Sequence, residues 1–424
     1  MFAAAVLVSS CSEETPRMPW EDDPNFHEYP EPGDDETTEV EVGQVLPGWS
    51  EGNLDIHLIN TGRGECLFHI LPDGTTLLID AGETKASDVS VPQRPNDNVR
   101  PYITDSRYIK HFLPAGKTSI DWCAPSHYHI DHIGTKELAT ETAPGGYGLS
   151  GLTAVYQEVP FDRILDLGYP TYNDDNTIPA TDGNYAANWI TFVKWAVANK
   201  GVKADRYRPG EEQIKLVNDP GKYPDFKILT ICANGYICKI DAATGAQSIV
   251  NAKAAAGNPA SAGIHLKYGK FDYVTCGDLT SAPQNHVSNY IKAVIPTGGF
   301  EVFKGHHHLS ANSWGSGMQK NNHSPRVIVN QNFSNYQPDN GLLESIFSGK
   351  FANATYTWQK DLFTTNGHAD QVAANAALWN QVTGYNGHIV VRVAPGGDQF
   401  YVYMLDDTNF DYKVKSIHGP YTCK

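Results

Sequence analysis

Residues 127–132 read His127-Tyr128-His129-Ile130-Asp131-His132, so three imidazoles and a carboxylate fall within six positions, directly after an apolar run. Imidazole nitrogen and carboxylate oxygen are the ligands that borderline divalent ions such as zinc accept. Alternate residues of a loop leaving a strand end can aim His127 and His129 at one ion. Asp131 and His132 then point elsewhere. Four donors diverging from one short loop suit two adjacent ions better than one closed tetrahedral site, and paired ions usually serve hydrolysis. A structural zinc would more often be built from cysteines.

The stretch "LDIHLINTGRGECLFHILPDGTTLLIDAG" (54–82), followed by "SHYHIDHIG" (126–134), resembles the opening of the metallo-β-lactamase superfamily, in which two strands and a turn precede a metal loop. Within it, "HLKYGKFDYVTCGDLT" (265–280) and "FKGHHHLSANS" (303–313) resemble later motifs of the hydrolase domains of competence (DNA-uptake) proteins. The likeness runs from residue 54 to about 345. It implies a mixed α/β (α+β) fold, an αββα sandwich of two mixed sheets flanked by helices, with the site at one sheet edge.

Position by position, the resemblance makes Asp80 the buried aspartate that supports the metal loop and makes His127, His129, Asp131 and His132 the first ligands. Asp278, in "CGD", becomes the carboxylate that bridges two ions. A carboxylate suits that post because each oxygen can serve one cation and its charge offsets their repulsion. The last ligand is expected from the His306-His307-His308 run, with His307 preferred and His308 second; Leu309 stands where the family has glycine. Between His132 and Asp278 the only histidine is His265, inside a strand-like run. Asn258 holds the place of the superfamily's middle histidine, so the first ion should bind loosely. Gln337 stands where the competence pattern has histidine, which weakens the case for DNA hydrolysis in particular.

Charge argues the same way. Twelve acids against one arginine lie between Ser12 and Val42, so −11 of the formal −16 belongs there and −5 to the remainder. Without a basic stripe a long polyanion gains little from counterion release, which disfavours double-stranded nucleic acid as a partner. A small-molecule or phosphoester substrate is the expectation.

"MFAAAVLVSSCS" has a short apolar run ending in Val8-Ser9-Ser10-Cys11, which resembles a truncated lipoprotein signal with its lipobox over residues 1–11. A run of seven apolar residues cannot span a bilayer. "SEE" after Cys11 resembles an acidic export tag, and 12–45 reads as an acidic, disordered tether. The expected location is the envelope of a Gram-negative bacterium, lipid-anchored, in the periplasm or at the surface.

Residues 46–424 are expected to form the hydrolase-fold domain, with an insertion at about 140–257 and a terminal hairpin in 387–407 that extends a sheet. Within the insertion, 159–168 reads as a strand, 185–201 as an amphipathic helix carrying Trp189, Val193 and Val197 on one face, and 226–241 as a hairpin. A three-residue loop at Asn234 to Tyr236 would set Cys232 opposite Cys238 and permit a disulfide. Cys66, Cys123 and Cys276 read as packed thiols. Tyr147, Tyr169 and Tyr172 lie in loops that either overhang the metals or fill gaps in a lid.

The expected reaction is hydrolysis by a metal-held hydroxide, with zinc as one or two ions and manganese or iron as substitutes, on phosphoric esters and diesters foremost. Asp131 would orient the nucleophile or ligate the second ion. Lys304 and Ser310 are candidates for contacts to anionic oxygens. Two other readings stay open: a carboxylic ester, lactone or β-lactam hydrolase, and a metal-binding surface lipoprotein without turnover.

Overall fold

Strands whose residues are apolar at consecutive positions must be covered on both faces, because successive side chains point to opposite sides. β2 (Cys66–Ile70) and β3 (Thr76–Ala81) contain such runs and are buried at every residue, as is β1 (Leu54–Leu58), where apolar residues alternate with buried Asp55 and His57. The computed structural model describes residues 40–172, 183–254, 256–297, 299–313, 321, 323–349 and 360–424. Residues 1–11 and nearly all of the acidic stretch, about which the sequence makes its lipid-anchor and tether expectations, lie outside them.

After β3 come β4 (Trp122–Cys123), β5 (Arg163–Asp166) and β6 (Lys203–Arg206), all parallel to it. A second sheet follows: β7 (Phe226–Ala233), β8 (Tyr236–Ile240), β9 (Gln247–Asn251), β10 (Gly263–Tyr268), β11 (Phe271–Thr275), β12 (Gly299–Lys304), β13 (Ser324–Asn330), β14 (Asp361–Thr364) and β15 (Gly384–Tyr385). The chain then returns to the first sheet with β16 (His388–Val393), β17 (Gln399–Leu405) and β18 (Val414–Thr422). Among the described residues the orders are β18-β17-β16-β1-β2-β3-β4-β5-β6 and β15-β14-β13-β12-β11-β10-β7-β8-β9. Both sheets are mixed, and helices cover them, so the αββα sandwich is the fold.

Alternation along β11 to β13 divides the second sheet between two cores. Tyr273, Val302, Val327 and Val329 join the large core shared with the first sheet, whereas Val274, Phe303 and Ile328 face the outer helix α5 (Ser281–Val294). On the other side, α1 (Pro101–Phe112), α3 (Leu152–Glu158) and α4 (Gly183–Lys200) cover the first sheet; α2 (Ile130–Ile133) is the single turn that carries Asp131 and His132. Trp189 on α4 donates its Nε1–H to Asp166 of β5 at 2.6 Å, and Phe192 packs edge-on to Tyr156 and Phe161. The 140–257 stretch therefore supplies strands to both sheets, and β16 and β17 extend the first one beside β1.

The cysteine expectation fails by one position. Ala233 pairs with Tyr236, so the β7–β8 turn has two residues, Asn234 (φ 53°) and Gly235 (φ 75°), both left-handed as a tight hairpin requires. That sets Cys232 opposite Ile237, and Cys238 opposite Ile249 of β9, so its side chain leaves on the other face. Both thiols are free and buried, as are Cys66, Cys123 and Cys276.

Candidate metal centre

In an open sheet with parallel strands, loops at their carboxyl ends converge on one edge, which is where such folds bind ligands. β4 leads into the 127–132 loop, β11 into Asp278, β12 into the histidine run and β13 into Gln331. Asp80 reaches the same edge by a β-bulge. Cys66 pairs with Ala81 but Leu67 with Ile79, leaving Asp80 as the extra residue at φ 62°. Its Oδ1 accepts the Ser126 N–H at 2.7 Å, and its Oδ2 lies 2.8 Å from His132 Nδ1. Gly82 lets the metal loop close in: a Cβ there would lie 1.8 Å from the Asp131 carbonyl oxygen.

Three groups of donors form, each with one ligand atom per residue within 4.8 Å of the others: Asp131, His132, Asp278 and His308; His127, His129 and Asp278; and, behind these, Glu65, Asp80 and His132. Asp278 belongs to the first two, whereas the third is already taken up by ion pairs, His132 with Asp80 and Glu65 with Lys304. Its Oδ2 lies 3.3 Å from His132 Nε2, 3.3 Å from His308 Nε2 and 4.0 Å from His127 Nε2. His308 Nε2 also lies 3.0 Å from Asp131 Oδ2.

The order of preference within the histidine run reverses on this geometry. His307, His308 and Leu309 all have left-handed backbone, φ 47°, 56° and 56°. Each such residue costs about 1–3 kcal/mol outside glycine, so the turn is held by its surroundings. The consequence is that His308 swings into the four-donor group. His307 stays at the rim with 22% of its side chain exposed, 3.9 Å from Asp278 Oδ2 and with Nε2 3.0 Å from Asn258 Nδ2. His306 is core: burial pushes its imidazole down to about 3, and its ring lies 4.9 Å from Phe303. Asn258 thus sits beside His307, its Oδ1 buried without a hydrogen bond.

Hydrogen bonds on the far side of each ring decide which nitrogen faces the centre. Carboxylate and carbonyl oxygens only accept, so His132 Nδ1–H donates to Asp80, and His308 Nδ1–H donates to the Gln331 carbonyl at 3.0 Å. In the neutral ring, the form that can bind a cation, both Nε2 lone pairs then point inward. His127 Nε2, His132 Nε2 and Asp278 Oδ1 are buried and make no hydrogen bond, which is what a donor set built for a cation requires. Nitrogen and oxygen donors alone, without sulfur, fit zinc or manganese.

Electrostatics agree. Burial alone would lower His132 and His308, but Asp278 first, with Asp131 and either Asp80 or Glu65, outweighs it and holds both imidazoles well above their usual range. Burial would raise Asp278, and His308 and His132 overcome it, leaving the carboxylate well below its usual range. The carboxylates thus favour positive charge on the imidazoles between them, charge that a divalent cation would replace.

Several sequence candidates lie elsewhere in role. Lys304 is fully buried against Glu65 and Ser310 is buried with its Oγ accepting from Gln337, so neither is placed to meet an anionic oxygen in the cleft. Tyr147 is core, packed on Phe192 and Trp195; Tyr172 is buried edge-on to Tyr169. These tyrosines fill gaps. His265 pairs with Asp272 at 2.7 Å, and His388 accepts the Asn60 N–H at 2.9 Å. The sequence reading missed Glu65, Ser126 and Gln331, which sit behind the donors. An acid between Gly64 and the apolar strand β2 was the one signal for Glu65. A separate cavity of about 690 Å³, lined by Tyr156, Arg163, Trp195 and Lys203 among others, lies at the opposite ends of β5 and β6 and contains none of the donors.

No family model and no curated protein matches the chain. Among solved structures it resembles the crystal structure of human tRNase Z, short form (ELAC1), at 10% identity and a TM-score of 0.29, over 73% of this chain and 92% of that one. Fold and site therefore stand on the chain's own strands and side chains.

Proposed function

We propose that this chain is a metal-dependent hydrolase of phosphoric esters, diesters foremost, with Asp278 shared between two cation pockets. The observation that carries the reading is that one buried carboxylate belongs to both donor groups while His129, Asp131 and His307 leave the cluster half open. His127, His129 and Asp278 would hold one divalent ion, and Asp131, His132, Asp278 and His308 the other. Bound cations supply Lewis acidity toward phosphoryl oxygen and acidify a coordinated water.

The chain's residues do the rest. Asp131, 16% exposed at the open side, orients the attacking water and takes its hydrogen bond. His307 stands at the rim, its Nδ1–H donating to Asn312 Oδ1 at 2.7 Å and its Nε2 accepting from Asn258. The buried carboxylates hold the charge balance in place before substrate arrives, so little reorganisation remains for the reaction itself. Asn258, a neutral oxygen where a third imidazole would complete the three-donor pocket, makes that pocket the weaker of the two.

A panel of chromogenic phosphodiesters, lactones and cephalosporins with zinc or manganese, run against His127→Ala, tests this. Phosphodiester turnover is expected, reduced at least a hundredfold in the variant. Turnover confined to lactones or cephalosporins would move the assignment to acyl chemistry, and metal uptake with no turnover on any substrate would make the protein a metal-binding one.

We also infer, from Val8-Ser9-Ser10-Cys11 and the acidic stretch behind it, a lipid-anchored protein of a Gram-negative envelope. Expressed in such a host, the chain is expected to incorporate labelled palmitate, and Cys11→Ala to abolish it. Equal labelling of both would remove the anchor from the reading.

A further inference from the structure

Glu65 and Lys304 stand 239 positions apart in sequence and meet as an ion pair with no exposure on either side chain. They join the two sheets, since Glu65 immediately precedes β2 and Lys304 ends β12. Desolvating two charges costs several kcal/mol each, and an apolar pair of similar volume is often as stable or more so. Stability alone is a poor reason to keep such a pair. Its remaining contacts all lead to the donor cluster. The Glu65 oxygen that meets Lys304 lies 3.0 Å from His308 Nδ1, and the other lies 3.9 Å from His132 Nδ1. Glu65 also donates its backbone N–H to the Asp131 carbonyl at 2.8 Å and accepts from the Gly82 N–H at 2.9 Å.

We propose that the Glu65–Lys304 pair positions His308 and holds the donors of the two sheets in register, and so sets how tightly the Asp131–His132–Asp278–His308 pocket grips its cation. The proposal rests on the reading of that pocket as a metal centre. Lys304, from the second sheet, fixes the Glu65 carboxylate; the carboxylate shares the His308 Nδ1–H with the Gln331 carbonyl and keeps Nε2 directed at Asp131 and Asp278. The backbone of Glu65 meanwhile ties down the loop that carries the first sheet's ligands. Both are positioning residues, remote from substrate.

The test is a calorimetric titration of metal-stripped full-length protein with Zn²⁺, paired with Co²⁺ absorption spectra, for wild type, Glu65→Asp and the double variant E65Q/K304M. The double variant leaves neither charge buried alone; Glu65→Asp keeps the charge but withdraws the oxygen by one methylene. Affinity at the four-donor pocket is expected to fall ten- to a hundredfold in both, with an altered Co²⁺ spectrum, while the His127–His129 pocket keeps its affinity. Lower thermal stability with unchanged affinity and spectrum would show a merely structural pair, with Gln331 alone orienting His308, and would overturn the proposal. Wild type taking up no ion at all would instead bring down the metal-centre reading, and this proposal with it.

Discussion

Asp278→Ala is expected to abolish tight binding in both pockets and to lower kcat/KM for a phosphodiester at least a thousandfold, about 4 kcal/mol of transition-state stabilisation. The size follows from sharing. Of the two groups that contain Asp278, each histidine belongs to one, so its loss would weaken one ion, whereas Asp278 is within reach of His127, His132 and His308 together. Removing it takes away a ligand from each ion and the one negative charge between them. Asp278→Asn separates these effects, because the amide keeps the shape and one oxygen but no charge. Metal content by mass spectrometry should fall from two ions toward none in the alanine variant and to one or fewer in the asparagine variant. Two tightly held ions in Asp278→Ala would refute a shared ligand.

The largest expected loss of stability lies away from the centre. Asp55 on β1 and Arg392 on β16 face each other in register, joined at 2.9 and 2.7 Å, with Asp55 fully buried beside His57. Breaking one side of a buried pair strands the other charge, so Arg392→Met is expected to cost about 3–5 kcal/mol in urea unfolding. Acid supplies a second readout. Burial would raise the Asp55 pKa, but Arg392 outweighs it and brings it from 3.8 to about 2. A carboxylate depressed in the folded state contributes stability that is present above its unfolded pKa and lost as pH falls through the folded value, here between about pH 4 and 2, on the order of 2 kcal/mol. Without Arg392 the same carboxyl is buried with no cation, its pKa rises, and acid no longer costs the fold this contribution. The stability gap between wild type and Arg392→Met should therefore narrow as pH drops below 4. Subtracting the two curves cancels the titration of the metal cluster, which both share. A gap constant with pH would mean that Arg392 stabilises by packing rather than by charge.

How far the site is legible without coordinates depends on the range of the interaction. The 127–132 loop is local: four donors and the apolar strand before them fall within one short segment, so their clustering needs no knowledge of the rest of the chain. Asp278 was legible only by resemblance, since its place after a strand by itself reads as a turn aspartate. Within the histidine run, adjacent positions in a loop differ only in direction, and three consecutive left-handed residues turned His308 rather than His307 inward. The β7–β8 hairpin failed in the same way, since a turn of two residues instead of three shifts every pair by one and separates Cys232 from Cys238.

Side-chain chemistry and short-range spacing, which belong to the chain as written, determined that nitrogen and oxygen donors gather at a strand end, whereas the sandwich was legible only through the resemblance of its motifs. Tertiary structure alone decided which histidine joins the four-donor group, that Lys304 turns inward to Glu65 instead of outward to the cleft, and that Asp278 belongs to two groups of donors. The reason is distance: those contacts join residues up to 239 positions apart on different sheets, and their geometry exists only once both sheets have packed.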